Sequence, residues 1–174
     1  MEIWKAFERN IVTHSAAHHI MTISHLIDGK GYARVTDVAK SLGISRSSAS
    51  ITLKTLKEKG YVEEDENKFL RLSEKGEKLS YSIQSNRLIL IKFLQDVLAV
   101  DADQAEIDAC KMEHLLSQEA GEKLLHFMKF LFSNDLRASA FLEAYANYDC
   151  VCQGVTEECG ICETDCLLQD EHDL

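Results

Sequence analysis

The chain has 174 residues, of which 45% are hydrophobic and 28% charged, with a formal net charge of −10; this ordinary globular balance allows a core and argues against a general nucleic-acid binder. No apolar run approaches the roughly 20 residues that a membrane helix needs, and the N-terminus MEIWKAFERN lacks the basic-then-apolar layout of a secretion signal. The expected location is therefore the cytoplasm, where cysteines stay reduced and serve metals, clusters or redox chemistry in place of structural disulfides.

Charge is unevenly spread. Residues 1–62 carry nine Lys and Arg against five Asp and Glu, whereas residues 81–174 carry six against eighteen. Only the N-terminal part is suited to a phosphate backbone. Proline is absent and apolar residues recur at three- and four-residue spacing, so helices should dominate.

The first predicted helix runs from about Trp4 to Ile27, carries His14, His18, His19 and His25, and stops at DGKG. In VTDVAKSLGIS, Thr36 is the expected cap of a short helix with Val38, Ala39 and Leu42 facing inward, and Gly43 supplies its left-handed exit. Ser45 then caps SRSSASITLKTLKEKG, which closes at Gly60. Two helices joined by a short Gly-containing turn make a helix-turn-helix.

Ala49, Leu53 and Leu56 form the buried stripe of the second helix and leave Arg46, Ser47, Ser50, Ile51 and Lys54 on the opposite face. Short donors and cations near a helix N-terminus suit phosphates and base edges of a major groove, and Ile51 suits a thymine methyl. Together with Thr36, Ser45 and Ser48 at the helix starts, these are the expected DNA contacts. YVEEDENKFLRLSEKG reads as two short strands around Glu66-Asn67-Lys68, which completes a winged helix over residues 1–72. Its acidic tip, Glu63 to Glu66, is a poor phosphate binder, so the recognition helix is expected to carry most of the contact.

From Glu74 to about Ala99 the pattern is one long helix, with Leu79, Ile83, Leu88, Ile91, Leu94 and Leu98 at helical spacing. DADQAEIDACKMEHLLS, capped by Asp101, QEAGEKLLHFMKFLF and DLRASAFLEAYANY follow as further helices. Helices this apolar and this short imply a helical bundle or dimer interface over residues 73–148. The fold class is thus mainly α: a winged helix-turn-helix, a helical dimerisation domain, and a metal- or cluster-binding tail from residue 149.

Cys110, Glu113 and His114 fall at i, i+3 and i+4, so thiolate, carboxylate and imidazole share one helix face. Such a set suits Fe(II), Mn(II), Co(II) or Zn(II), with the thiolate biasing toward softer ions. Over about residues 15–133, and most clearly in GKGYARVTDVAKSLGISRSSASITLKTLKEKGYV and DACKMEHLLSQEAGEKL, the chain resembles the metal-dependent repressors typified by the diphtheria toxin repressor and the manganese transport regulator. The resemblance implies a homodimer that binds a palindromic operator in duplex DNA when loaded with Fe(II) or Mn(II), and that represses metal-uptake genes.

Carried over residue by residue, the resemblance makes Cys110, Glu113 and His114 ligands, joined by His18 and, as in some members, Met21. The long helix departs from the pattern, because Arg87 and Ile91 stand where the family has His and Glu. Arg87, permanently cationic, cannot be a ligand. Either a one-residue shift rearranges the site, or Arg87 pairs with Glu113 and the inherited site no longer holds metal.

Five of the six cysteines crowd the tail: Cys150, Cys152, Cys159, Cys162 and Cys166, spaced C-x-C-x6-C-x2-C-x3-C. Thiolates converging around glycine-bearing turns suit an iron-sulfur cluster, of the 4Fe-4S type by ligand number, acting as an iron or redox sensor; structural zinc and a metal-free thiol switch are the alternatives. No nucleophile elbow, phosphate loop or HExxH is present, so an enzyme is not expected.

Overall fold

A computed structural model describes residues 12–148; Trp4 and the five tail cysteines lie outside them. The described chain divides after Phe130 into two compact units.

Helix α1, His14–Lys30, starts where the Thr13 hydroxyl accepts the Ala16 N–H at 3.3 Å. It continues past Ile27 through Gly29 and stops at the second glycine of the expected DGKG, Gly31, whose φ of 78° lets its N–H turn back to the Ile27 carbonyl at 2.8 Å. Helix α2, Val35–Leu42, is entered from Arg34 with no side-chain cap. Thr36 is therefore the second helical residue and not the cap predicted. The reason is tertiary: Leu70 N–H donates to the Ala33 carbonyl at 2.8 Å, which holds the chain extended up to Arg34. Helix α3, Arg46–Glu58, has the predicted cap, Ser45 accepting from Ser48 N–H at 3.1 Å.

Strands β1, Val62–Glu64, and β2, Leu70–Leu72, pair antiparallel with Val62 opposite Leu72. In the connecting loop Asp65 Oδ1 accepts the Asn67 and Phe69 N–H groups at 2.9 and 2.8 Å, and Lys68 takes φ 66°. Ile20 and Ile23 of α1, Val38 of α2, Leu53 and Leu56 of α3, Leu70 of β2 and Ile83 further along form one buried core. The predicted stripe Ala49, Leu53, Leu56 lies in it.

Helix α4, Glu74–Lys92, is capped by Ser73, which accepts the Gly76 N–H at 3.1 Å. It does not continue as α-helix to Ala99: Phe93–Val97 is a π-helical turn and Ala99 has φ 54°. Its inward face runs through Ile83, Asn86 and Leu90, while Leu88, one of the apolar residues at helical spacing, is 69% exposed. Helix α5, Ala102–Met112, has Asp101 as its cap, as predicted. Helices α6, Gln118–Leu131, and α7, Leu136–Ala146, follow, with α7 in the second unit. Among the described residues no helix is long and apolar enough to cross a membrane.

Candidate metal centre and nucleic-acid face

His14 and His18 stand one turn apart on α1, their rings in edge contact with centroids 4.4 Å apart. Cys110 approaches from α5, its Sγ 3.3 Å from His18 Nε2. The ligand atoms of His14, His18 and Cys110 all lie within 4.8 Å of one another. Helix α5 ends at Met112, so Glu113 and His114, expected on the same helix face as Cys110, leave it on the following turn. The turn brings the His114 ring to 5.1 Å from that of His14.

The site also contains unsatisfied polar atoms. His114 Nδ1 and Glu113 Oε1 are buried without a hydrogen-bond partner, and Glu113 is only 1% exposed. A buried polar atom left unpaired costs about 1–3 kcal/mol. The other carboxylate oxygen, Oε2, accepts from Arg87 Nη1 at 3.3 Å, while Arg87 Nη2 donates to Glu106 at 3.2 Å. Asn86 Nδ2 fixes the turn by donating to the Glu113 carbonyl at 3.0 Å.

Burial favours the neutral, metal-binding form of two of the imidazoles, His18 and His114. Burial pushes the pKa of His18 below its usual value, helped by His14, Arg87 and His114. Burial, then His14, lowers that of His114. Glu113 is pushed upward by burial, with Arg87 pulling the other way. Burial acts to lower Arg87, but hydrogen bonds to Cys110 and Glu113 outweigh it and the guanidinium is held cationic.

Two imidazoles and a thiol converge here, with the His114 ring beside that of His14, and two donors about 2.0–2.3 Å from a shared tetrahedral ion lie about 3.5 Å apart, close to the Cys110–His18 separation. With two buried acceptors lacking partners, the donor set fits a divalent transition ion. His14 was not among the ligands expected from the sequence; the available signal was its four-residue spacing from His18. Met21 lies in the apolar core with Ile20 and Ile23. His25 is exposed, and His19 is buried with Nδ1 2.6 Å from the Ser15 carbonyl. Arg87 does pair with Glu113, one of the two arrangements anticipated.

On the N-terminal face, the Ser45 hydroxyl lies 2.9 Å from that of Ser47 and 2.8 Å from that of Ser48, which clusters three hydroxyls at the start of α3. Arg46, Ser50 and Lys54 are exposed, and Ile51 is 69% exposed. Arg34, Lys57 and Lys68, which the sequence reading missed, line a groove with Thr36, Arg46 and Ser50. They also change the reading of the acidic wing tip. Glu64 pairs with Lys57 and, at 3.3 Å, with Lys68, while Glu63 pairs with Arg71 at 2.7 Å. The Lys57 hydrogen bond holds Glu64 below the usual carboxylate pKa.

Comparison with known proteins gives this arrangement a context. A family profile described as "Iron dependent repressor, N-terminal DNA binding domain" matches residues 12–70, and "Iron dependent repressor, metal binding and dimerisation domain" matches residues 73–135. The chain is 32% identical over 122 residues to an HTH-type transcriptional regulator MntR of Lysinibacillus sphaericus, covering 70% of this chain and 87% of that one. A regulator of the same name from Bacillus pumilus is 29% identical over 128 residues, 74% of this chain and 88% of that one. In fold it is similar to the crystal structure of SSo2273 from Sulfolobus solfataricus, with a TM-score of 0.57 at 20% identity, covering 67% of this chain and 89% of that one. The chain therefore belongs to the metal-dependent repressor family of the diphtheria toxin repressor and manganese transport regulator type, and is a transcriptional repressor that binds DNA and dimerises through its C-terminal helical domain.

Proposed function

We propose that this repressor is an iron-responsive regulator of metal-uptake genes in the cytoplasm, whose operator binding is switched on by a divalent ion held by His14, His18, Cys110 and His114. The observation that carries the reading is the convergence of the His14, His18 and Cys110 donors within 4.8 Å beside the unpartnered His114 Nδ1. Glu113 helps through its charge, and Met21, in the apolar core, is left out of the ligand set. Imidazole and thiolate donors suit Fe(II), Co(II) or Zn(II), whereas Mn(II) prefers carboxylate and carbonyl oxygens. Residues 1–72 act as the reading head, with Thr36, Ser45, Arg46, Ser47 and Ser48 near the helix starts and Ser50, Ile51 and Lys54 along α3 meeting the duplex. Residues 73–148 carry metal and partner.

The test is an anaerobic selection of duplexes from a randomised pool, with Fe(II), Mn(II) or chelator, followed by binding anisotropy. Enrichment of a palindrome with Fe(II) and not with chelator is expected. Equal binding under chelator overturns the metal switch, and enrichment with Mn(II) alone overturns the iron assignment.

The tail spacing C-x-C-x6-C-x2-C-x3-C supports a second element of the reading, an iron-sulfur cluster held by four of Cys150, Cys152, Cys159, Cys162 and Cys166 as a further sensor. Anaerobic purification should give a brown protein with iron and sulfide. A colourless protein with one zinc per chain assigns the tail to structural zinc, and one without metal assigns it to a thiol switch.

A further inference from the structure

We propose that Arg87 is a built-in cation standing where a second metal ion would otherwise sit, so that each chain takes one divalent ion in its helical site and keeps Glu113 for the guanidinium. The inference rests on the metal-gated reading above. Its ground is the position of the guanidinium among anionic donors. One nitrogen bonds Glu113 Oε2 at 3.3 Å and a second bonds Glu106 Oε2 at 3.2 Å, while Glu113 Oε1 is buried with no partner. A guanidinium bridging two carboxylates occupies the place that an ion shared between them would take. A guanidinium there bonds one oxygen of each carboxylate, offers no lone pair, and never loses its charge.

Charge balance points the same way. Once a bound ion has displaced the Cys110 proton, the thiolate, Glu106 and Glu113 together match Arg87 and that one divalent ion. A second divalent ion would leave two uncompensated positive charges around a Glu113 side chain that has 0% exposure. Uncompensated charge is costly where water cannot screen it. As ligands, the imidazoles of His14, His18 and His114 add no charge of their own to this balance.

The test is anaerobic equilibrium dialysis of the full-length chain with Co(II), repeated on a full-length variant with serine at all five tail cysteines so that tail thiols do not enter the count. The five-serine protein should bind one Co(II) per chain with a sulfur-to-cobalt charge-transfer band. Arg87→His should raise the count to two, Arg87→Lys should keep it at one, and adding Glu113→Gln to Arg87→His should return it to one. If histidine at this position does not fold, Arg87→Gln, which frees both carboxylates, reads the same count. Two ions bound with Arg87 intact, or one ion with the same affinity after its removal, overturns the proposal. Failure of the underlying reading looks different: no Co(II) is bound by the five-serine protein, or binding is indifferent to Cys110→Ser.

Discussion

Among single residues, Cys110 and His14 decide most about the metal centre, and they were unequally visible. Cys110 announces itself through its spacing to Glu113 and His114. His14 is one of four histidines within twelve residues, and spacings of four and seven residues put His14, His18 and His25 on one helix surface. Only the approach of Cys110, on α5, to His18, on α1, separates the histidines. Removing a ligand should therefore discriminate where counting could not. Cys110→Ser and His14→Ala are each expected to weaken Fe(II) or Co(II) affinity by more than about 10-fold, the lower bound seen even for groups that only support ligands, while His25→Ala leaves it unchanged. Competition against a coloured chelator measures all three, and equal affinities for His14→Ala and wild type would remove His14 from the ligand set. Glu64 makes a separate prediction about pH. Its folded pKa is depressed, chiefly by the Lys57 hydrogen bond, so the stabilisation it supplies is present above the unfolded carboxylate pKa of about 4.3 and is lost as pH falls through the depressed folded value. Thermal melts should show wild type above Glu64→Gln at neutral pH, with the gap closing as pH drops below about 4.

For whole elements, the capped helices were legible because capping is local chemistry. Ser45 and Asp101 lie within three residues of the amides they accept. The boundaries that were misread depend on contacts far along the chain or on conformations without a residue signature. The start of α2 is set by pairing of Ala33 with Leu70, and α4 gives way through a π turn to an Ala99 in a left-handed conformation usually taken by glycine. The junction between α4 and the wing depends on a glycine that the sequence does not distinguish from others. A Cβ at Gly76 would lie 2.1 Å from the Tyr61 carbonyl oxygen, which is backbone and cannot turn aside. At Gly121 it would meet Asn86 Oδ1 at 2.4 Å, the end of a side chain. Gly76→Ala should therefore cost at least the 1–3 kcal/mol typical of overpacking, and Gly121→Ala should cost less. Because Asn86 also holds the Glu113 carbonyl, the smaller stability loss at Gly121 should come with weaker metal binding. Urea denaturation ranks the two, and a Gly76→Ala loss no larger than that of Gly121→Ala would contradict the packing seen at this junction.

For the molecule as a whole, the acidic C-terminal half and the basic N-terminal half divide two tasks, and the link between them is the dimer. Two recognition helices read two half-sites together only when held about one duplex turn, roughly 34 Å, apart. Helix α6 exposes large apolar side chains, including Leu125 and a Phe127 that is 40% exposed, and it lies in the segment matched by the dimerisation profile. The candidate metal ligands, by contrast, all come from one chain: His14 and His18 from α1, Cys110 from α5, and His114 from the turn that follows. Dimerisation and metal binding should therefore be separable by substitution. Phe127→Asp is expected to shift sedimentation from dimer to monomer while leaving the Co(II) count per chain unchanged. Operator affinity should then fall by about 10²–10⁴-fold, the usual loss when two linked contacts become independent, because each monomer retains its recognition helix but loses the fixed spacing. Measuring mass, metal content and duplex binding on the same preparation distinguishes the outcomes. A monomer that still binds the full palindrome with wild-type affinity would show that spacing of the two helices is not what couples this protein to its operator, and a monomer that loses its ion would show that the metal centre depends on the partner chain.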